Sequence, residues 1–177
     1  MSIERNDKHS IGDLLSSRNP FVIPKYQRAY SWGKDEVEAF CEDVRDIKEE
    51  YFFGGIVSVF ELYDNSPGRI YKVVDGQQRL ATFTILLYVL KEAFLEIAKK
   101  TNDSIIRETS EAIALQIVDD YLVYIDTRKK PPKKYNRLKL SDLDNEYFES
   151  MLNNKELNEV AESHTRLKLA RQTIEKN

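Results

Sequence analysis

Apolar residues along this chain recur in two periods, and each change of period marks an element. Ile11, Leu14 and Leu15 give a short helical hint within an otherwise polar stretch from 1 to 20. Phe21, Val22 and Ile23 are extended in character, and Pro24 ends them because it keeps its predecessor extended and cannot donate to a ladder; the pattern predicts an edge strand. A helix follows, with Ser31 as N-cap, Asp35 and Glu36 in its first turn, and Val37, Phe40, Val44, Ile47 and Tyr51 along one face. Its opposite face (Glu38, Glu42, Asp43, Asp46, Glu49, Glu50) reads as solvated, with Asp43 or Asp46 as a carboxylate that would join a metal site. Residues 55–63 and 69–74 are rich in β-formers and flank Asp64-Asn65-Ser66-Pro67-Gly68, so they predict a hairpin. Beyond Gly76 the period becomes helical through Leu80, Phe83, Leu87, Leu90, Phe94 and Ile97, while Ile85, Leu86 and Val89 make its first half apolar nearly all round, hence central. Thr101-Asn102-Asp103-Ser104 stops that helix and caps another that runs to about Leu122.

After Leu122 charge becomes the dominant signal. The stretch 127–139 carries seven positive residues and no acidic one, and Pro131-Pro132 forbids a helix across it. A hairpin tip between 122–125 and 137–140 is the simplest structure. Its Arg128, Lys129, Lys130, Lys133, Lys134 and Arg137 are either a solvated tip or a nucleic-acid contact. Asp142 then caps a short helix through Tyr147, Phe148 and Met151, and 155–177 reads as a polar helix on which His164 has no evident partner; His9 reads as a tail residue. These elements predict an α+β fold, a small mixed sheet flanked by helices with a helical C-terminal part. Residues 1–125 would form the α+β domain, 126–140 a basic hairpin or loop, and 141–177 a helical extension continuing into a longer protein.

Composition narrows the function classes. The net charge of −3 over 177 residues excludes the whole molecule as an electrostatic DNA binder and leaves only local patches. The single Cys41 excludes a disulfide scaffold or cysteine metal site. No apolar run approaches the roughly 20 residues of a membrane span, and no apolar signal-peptide core is evident, which predicts a cytoplasmic protein without membrane contact.

Candidate chemistry centres on 71–80, where Val73-Val74-Asp75 meets Gly76-Gln77-Gln78-Arg79. Strand, turn and helix start coincide here. Unpaired N–H groups and the macrodipole make a helix N-terminus attractive to anions, and Gly76 lets the backbone approach one closely. A cation in a helix's first turn is disfavoured by roughly 0.3–1 kcal/mol, so Arg79 calls for a negative group, and phosphate is the obvious one. Asp75, at the same mouth, would hold a divalent metal, a sugar hydroxyl or Arg79; the plainer alternative is a helix cap paired with Arg79 on the surface. Gln27 and Arg28 echo Gln78 and Arg79, and a second guanidinium is what a polyphosphate would require. Tyr26, Tyr30 and Trp32 around them read as core anchors or as a base platform.

Three blocks, Ile23-Pro24-Lys25-Tyr26-Gln27-Arg28-Ala29-Tyr30-Ser31-Trp32, Phe53-Gly54-Gly55-Ile56-Val57 and Val74-Asp75-Gly76-Gln77-Gln78-Arg79-Leu80, resemble in order the N-terminal domain of GmrSD-type restriction endonucleases, of the ParB-like and sulfiredoxin-like superfamily. Tyr135-Asn136-Arg137-Leu138-Lys139-Leu140 is similar to the family's later strand. Ala81 departs from the family's threonine pair and leaves Thr82. The resemblance implies binding, and in some members hydrolysis, of a nucleoside triphosphate with Mg2+ or Mn2+, in control of a nuclease domain or subunit that attacks modified phage DNA. It implies Asp75 as metal and catalytic residue, Arg79 and Gln78 as catalytic, and Gly76, Gln77, Gln27, Arg28 and Thr82 as ligand-binding. The alternatives are a ParB-like DNA-binding or modified-DNA-sensing module and a docking domain for the nuclease, neither with catalysis of its own. His9 and His164 lack the nuclease motif, so nuclease chemistry is not expected in these residues.

Overall fold

The structure, a computed structural model, describes residues 10–16, 19–46, 54–62, 69–127, 130–155 and 157–177. In chain order its elements are α1 (Ile11–Ser16), β1 (Phe21–Val22), α2 (Lys34–Arg45), β2 (Val57–Leu62), β3 (Arg69–Asp75), α3 (Gln77–Lys100) and α4 (Ser104–Ile117). A π-helical turn at Val118–Leu122 leads to β4 (Val123–Asp126), β5 (Lys133–Asn136), β6 (Leu138–Lys139), α5 (Asn145–Leu152) and α6 (Glu162–Lys176). The fold is α+β, as the patterning predicts.

Among the described residues the strands form a four-stranded mixed sheet in the order β2-β3-β1-β6 and a separate β4-β5 ribbon. β2 and β3 are the expected antiparallel hairpin, from Val57 opposite Asp75 to Leu62 opposite Arg69, with a register irregularity at Val57/Ser58 beside Asp75. The turn between them lies outside the described residues, as do Ile47, Tyr51, Glu49 and Glu50 of the second predicted helix and Arg128 and Lys129 of the basic stretch.

β1 is not an edge strand. It pairs in parallel with β3 (Phe21 opposite Tyr71) and with β6 (Phe21 opposite Leu138). Pro24 permits this because the last donor the ladder needs is one residue earlier, where Ile23 N–H donates to Lys139 O at 2.8 Å. The basic hairpin also returns earlier than expected. β5 pairs with β4 from Val123 opposite Asn136 to Asp126 opposite Lys133, and 138–139 leave the ribbon to join the main sheet.

α3 starts at the predicted glycine and is buried around its first turns, through Leu80, Ala81, Thr82, Thr84, Ile85, Leu87 and Tyr88. It packs on α4 and α6. α4 begins at the predicted cap, where the Asp103 carboxylate accepts from Ile105 N–H at 2.8 Å and Ile106 N–H at 3.1 Å. One core joins Leu15 of α1 to Ile174 of α6, with Phe21, Val37, Leu80, Ile85, Phe148 and Leu167 at its centre. Burying side chains of this size stabilises the fold by about 1.5–3 kcal/mol each. No described helix is long and apolar enough to cross a membrane.

Three local expectations change. Gly33, not Ser31, caps α2, because Glu36 reaches back to the Gly33 N–H at 2.9 Å. Asp144, not Asp142, precedes α5, and its carboxylate makes no bond to the helix it precedes. His164 is buried and bonded: Val160 N–H donates to its Nδ1 at 3.3 Å, so Nε2–H donates to Leu143 O at 3.0 Å, and the ring stacks on Tyr147 with centroids 4.3 Å apart.

Candidate functional site

β3 delivers Asp75 to the mouth of α3, and Gly76 makes the turn with φ of +89°. A side chain there would be strained, and its Cβ would lie 3.0 Å from Gly55 O and from Ile56 Cγ1. The segment entering β2 therefore lies directly against the turn. Gln27, Arg28, Trp32, Val74, Asp75, Gly76, Gln77, Gln78 and Arg79 enclose a cleft of about 440 Å3 at this point. The sequence blocks 23–32 and 74–80 thus meet in space.

The helix end at the cleft is incomplete in the way an anion would complete. No side chain caps α3, and its first turn holds no acidic residue but does hold Arg79. Asp75 therefore is not the cap. Among the described residues, the carboxylate of Asp75 and the guanidinium groups of Arg28 and Arg79 have no hydrogen-bonding or ionic partner. Two guanidinium groups left open beside bare helix N–H groups favour negative charge.

Gly54 contributes what the sequence did not signal as a site role. It has φ of +102°, and a Cβ there would stand 2.1 Å from Arg79 Nη1 and 2.7 Å from Arg79 Cζ. The guanidinium occupies the space that a side chain at this position would take. The sequence-level hints are the Gly54-Gly55 pair ahead of a strand and its place in the 53–57 block.

The glutamines do a different job from the arginines. Gln78 accepts from Ser31 N–H at 2.8 Å and donates to Ala29 O at 3.2 Å, so both ends of its amide are engaged with the loop carrying Arg28. Gln77 donates to Arg28 O at 3.2 Å, and Gln27 donates to Val74 O at 3.1 Å. Gln77 Oε1 is buried without a donor among the described residues. Thr82 is fully buried behind the cleft rather than in it: its hydroxyl donates to Gln78 O at 2.9 Å and accepts from Tyr30 Oη at 2.8 Å. Burial drives the Tyr30 hydroxyl well above the usual phenol range. Of the three aromatics, Tyr30 is core, Tyr26 is exposed, and Trp32 is half-buried on the cleft wall.

A divalent cation fits here only in company. No group of three or more His, Cys, Asp or Glu occurs among the described residues, and Asp75 is the carboxylate at the cleft. Magnesium characteristically takes one or two carboxylates and draws its remaining ligands from water and substrate phosphates, which suits this donor set.

The basic hairpin is split by the fold. Lys130, Lys133 and Lys134 are exposed, with Lys133 Nζ 5.3 Å from the centre of the Tyr135 ring. Arg137 is not available to nucleic acid: it is buried, donates from Nη2 to Asp119 O at 3.0 Å, and burial lowers its pKa.

Fold and cleft together define a small α+β domain whose site is a strand-to-helix turn ringed by open charges of both signs. The chain belongs to the family of GmrSD restriction endonuclease N-terminal domains, whose family model matches residues 11–177. It is therefore a domain of a restriction, phage-defence protein. No curated protein matches the chain significantly.

Proposed function

We propose that the cleft binds the polyphosphate of a nucleoside triphosphate with Mg2+ or Mn2+, hydrolyses it, and so regulates the nuclease of a cytoplasmic restriction system. The observation that carries this reading is the pair of unpartnered guanidinium groups, Arg28 and Arg79, facing an uncapped helix N-terminus with Asp75 in the same cleft. Phosphoryl transfer is mostly positioning plus charge stabilisation, and those are the services these residues offer. Arg28 and Arg79 neutralise phosphate oxygens, and Gly76 admits one to the first N–H groups of α3. Asp75 holds the cation or orients the attacking water. The bound cation would neutralise developing charge on the phosphates. Gln77 and Gln78 hold the Arg28 loop, which makes Gln78 a positioning residue rather than a catalytic one.

Thermal unfolding with magnesium and each common triphosphate tests this directly. Ligand at 100 times its dissociation constant adds about 2.7 kcal/mol of stability, a shift of several degrees. Arg79→Ala is expected to abolish the shift, since a charge-assisted hydrogen bond contributes roughly 1.5–3 kcal/mol. Asp75→Asn is expected to retain binding and lose phosphate release. A wild-type protein with neither a shift nor turnover for any triphosphate overturns the reading and leaves a docking module for the nuclease.

A further inference from the structure

The loop that carries Gln27 and Arg28 is held from two sides, by segments far apart in the chain. α3 supplies Gln77 to Arg28 O and Gln78 to Ala29 O and Ser31 N–H. The opposite side comes from the C-terminal helices. Asp144, 1% exposed, accepts from Tyr30 N–H through Oδ2 at 2.9 Å and from the Ser163 hydroxyl through Oδ1 at 2.6 Å. Arg166 of α6 donates from Nη1 to Ser31 O, while its remaining nitrogens grip Glu162. A void of about 10 Å3 lies between the loop, α3 and Asp144, and the Tyr30 ring that borders it is part of the core, so the loop is held by these bonds together with that ring.

A buried carboxyl group is tolerated only through the hydrogen bonds that it makes, and those of Asp144 run to the Tyr30 N–H and the Ser163 hydroxyl. His164, whose Nε2 is 3.8 Å from Asp144 Oδ1, donates instead to Leu143 O, and so does not complete an ion pair. We propose that Asp144, Ser163 and Arg166 are positioning residues for the cleft: through Tyr30 and Ser31 they set where Arg28 stands, so that the docking of α6 and the binding of ligand are one coupled equilibrium. The ligand half of this rests on the triphosphate reading. By reciprocity, ligand in the cleft tightens α6 as much as α6 tightens the cleft, which gives whatever engages α6 a route to the site.

Arg171 provides the control. It ties α6 to α5 through Met151 O and, at 2.6 Å, Asn154 Oδ1, without touching the loop. In the full chain, Ser163→Ala, Arg166→Met and Arg171→Met should all lower the melting temperature while circular dichroism stays native. Only the first two should speed hydrogen exchange at the Tyr30 and Ser31 amides and weaken magnesium-triphosphate binding, each by about tenfold, the 1.4 kcal/mol scale of one good hydrogen bond. Arg171→Met weakening the ligand as much as Arg166→Met would reduce α6 to general stability and overturn the proposal. Unchanged exchange at both amides in Ser163→Ala and Arg166→Met would overturn it too. If wild-type protein binds no triphosphate, the nucleotide reading fails by itself, and the exchange arm still decides whether α6 holds the loop.

Discussion

Gly54 is bare beneath the guanidinium of Arg79, whereas Gly76 is bare for its left-handed turn and for the close approach of Gly55 and Ile56. At Gly54 an added methyl would fall on Arg79 Nη1, the free end of a flexible side chain, so the arginine swings aside. Gly54→Ala is accordingly expected to cost about 1–2 kcal/mol for the left-handed backbone and, beyond that, to remove triphosphate stabilisation as fully as Arg79→Ala. Urea midpoints and ligand-dependent melting separate the two effects; a variant that binds normally would show that Arg79 is not held by this glycine. Asp75 and Arg79 stood out in the sequence because charge beside a turn glycine is anomalous on local rules alone, and Gln27 and Arg28 because they echo Gln78-Arg79; the fold brings all four to one cleft. The engagement of Gln78 and Thr82 was not, since an amide or hydroxyl suits a ligand and a neighbouring backbone equally well. Asp144, Ser163 and Arg166 gave no signal, because their meaning comes from a loop more than 110 positions away.

At the scale of elements, apolar periodicity located nearly every helix and both long strands, and it failed at ends decided by distant partners. Ser31 does not cap α2 because its N–H is taken by Gln78 and its carbonyl by Arg166. α6 starts later than expected because 157–160 lie exposed and the Val160 N–H is bonded to His164 rather than to a helical carbonyl. The ribbon β4-β5 keeps a function of its own open. With Arg137 turned inward, Lys130, Lys133 and Lys134 are, among the described residues of the predicted basic set, the ones exposed to a phosphate backbone. If they meet one, changing all three to glutamine should weaken DNA binding and flatten its log–log salt dependence by about 0.9 for each phosphate no longer neutralised. Filter binding over a salt series measures this, and an unchanged slope makes the tip a solvated one.

For the molecule as a whole, the shared core gives unfolding a convenient reporter. Cys41 is buried on α2, and burial raises its thiol pKa. A thiol reagent in native buffer is expected to label it about 10^3-fold or more slowly than in denaturant, in line with a typical domain stability of at least ~5 kcal/mol. Rapid labelling would mean that α2 opens locally while the rest stays folded. The grip on the Arg28 loop has a consequence in time as well as space. Ser31 is bonded by a side chain 135 positions downstream. At a synthesis rate of roughly 5–20 residues per second, the ribosome makes Arg166 roughly 7–27 seconds after Ser31. Through that interval a nascent chain already carries Arg28 and later Asp75, Arg79 and the two glutamines that hold the Arg28 loop from α3, but not the bonds that α6 adds. A chain released before α6 would keep the residues that line the cleft and the Gln77 and Gln78 bonds to the loop, but not those of Ser163 and Arg166; on the coupling proposed above, it would bind its ligand more weakly than the full chain.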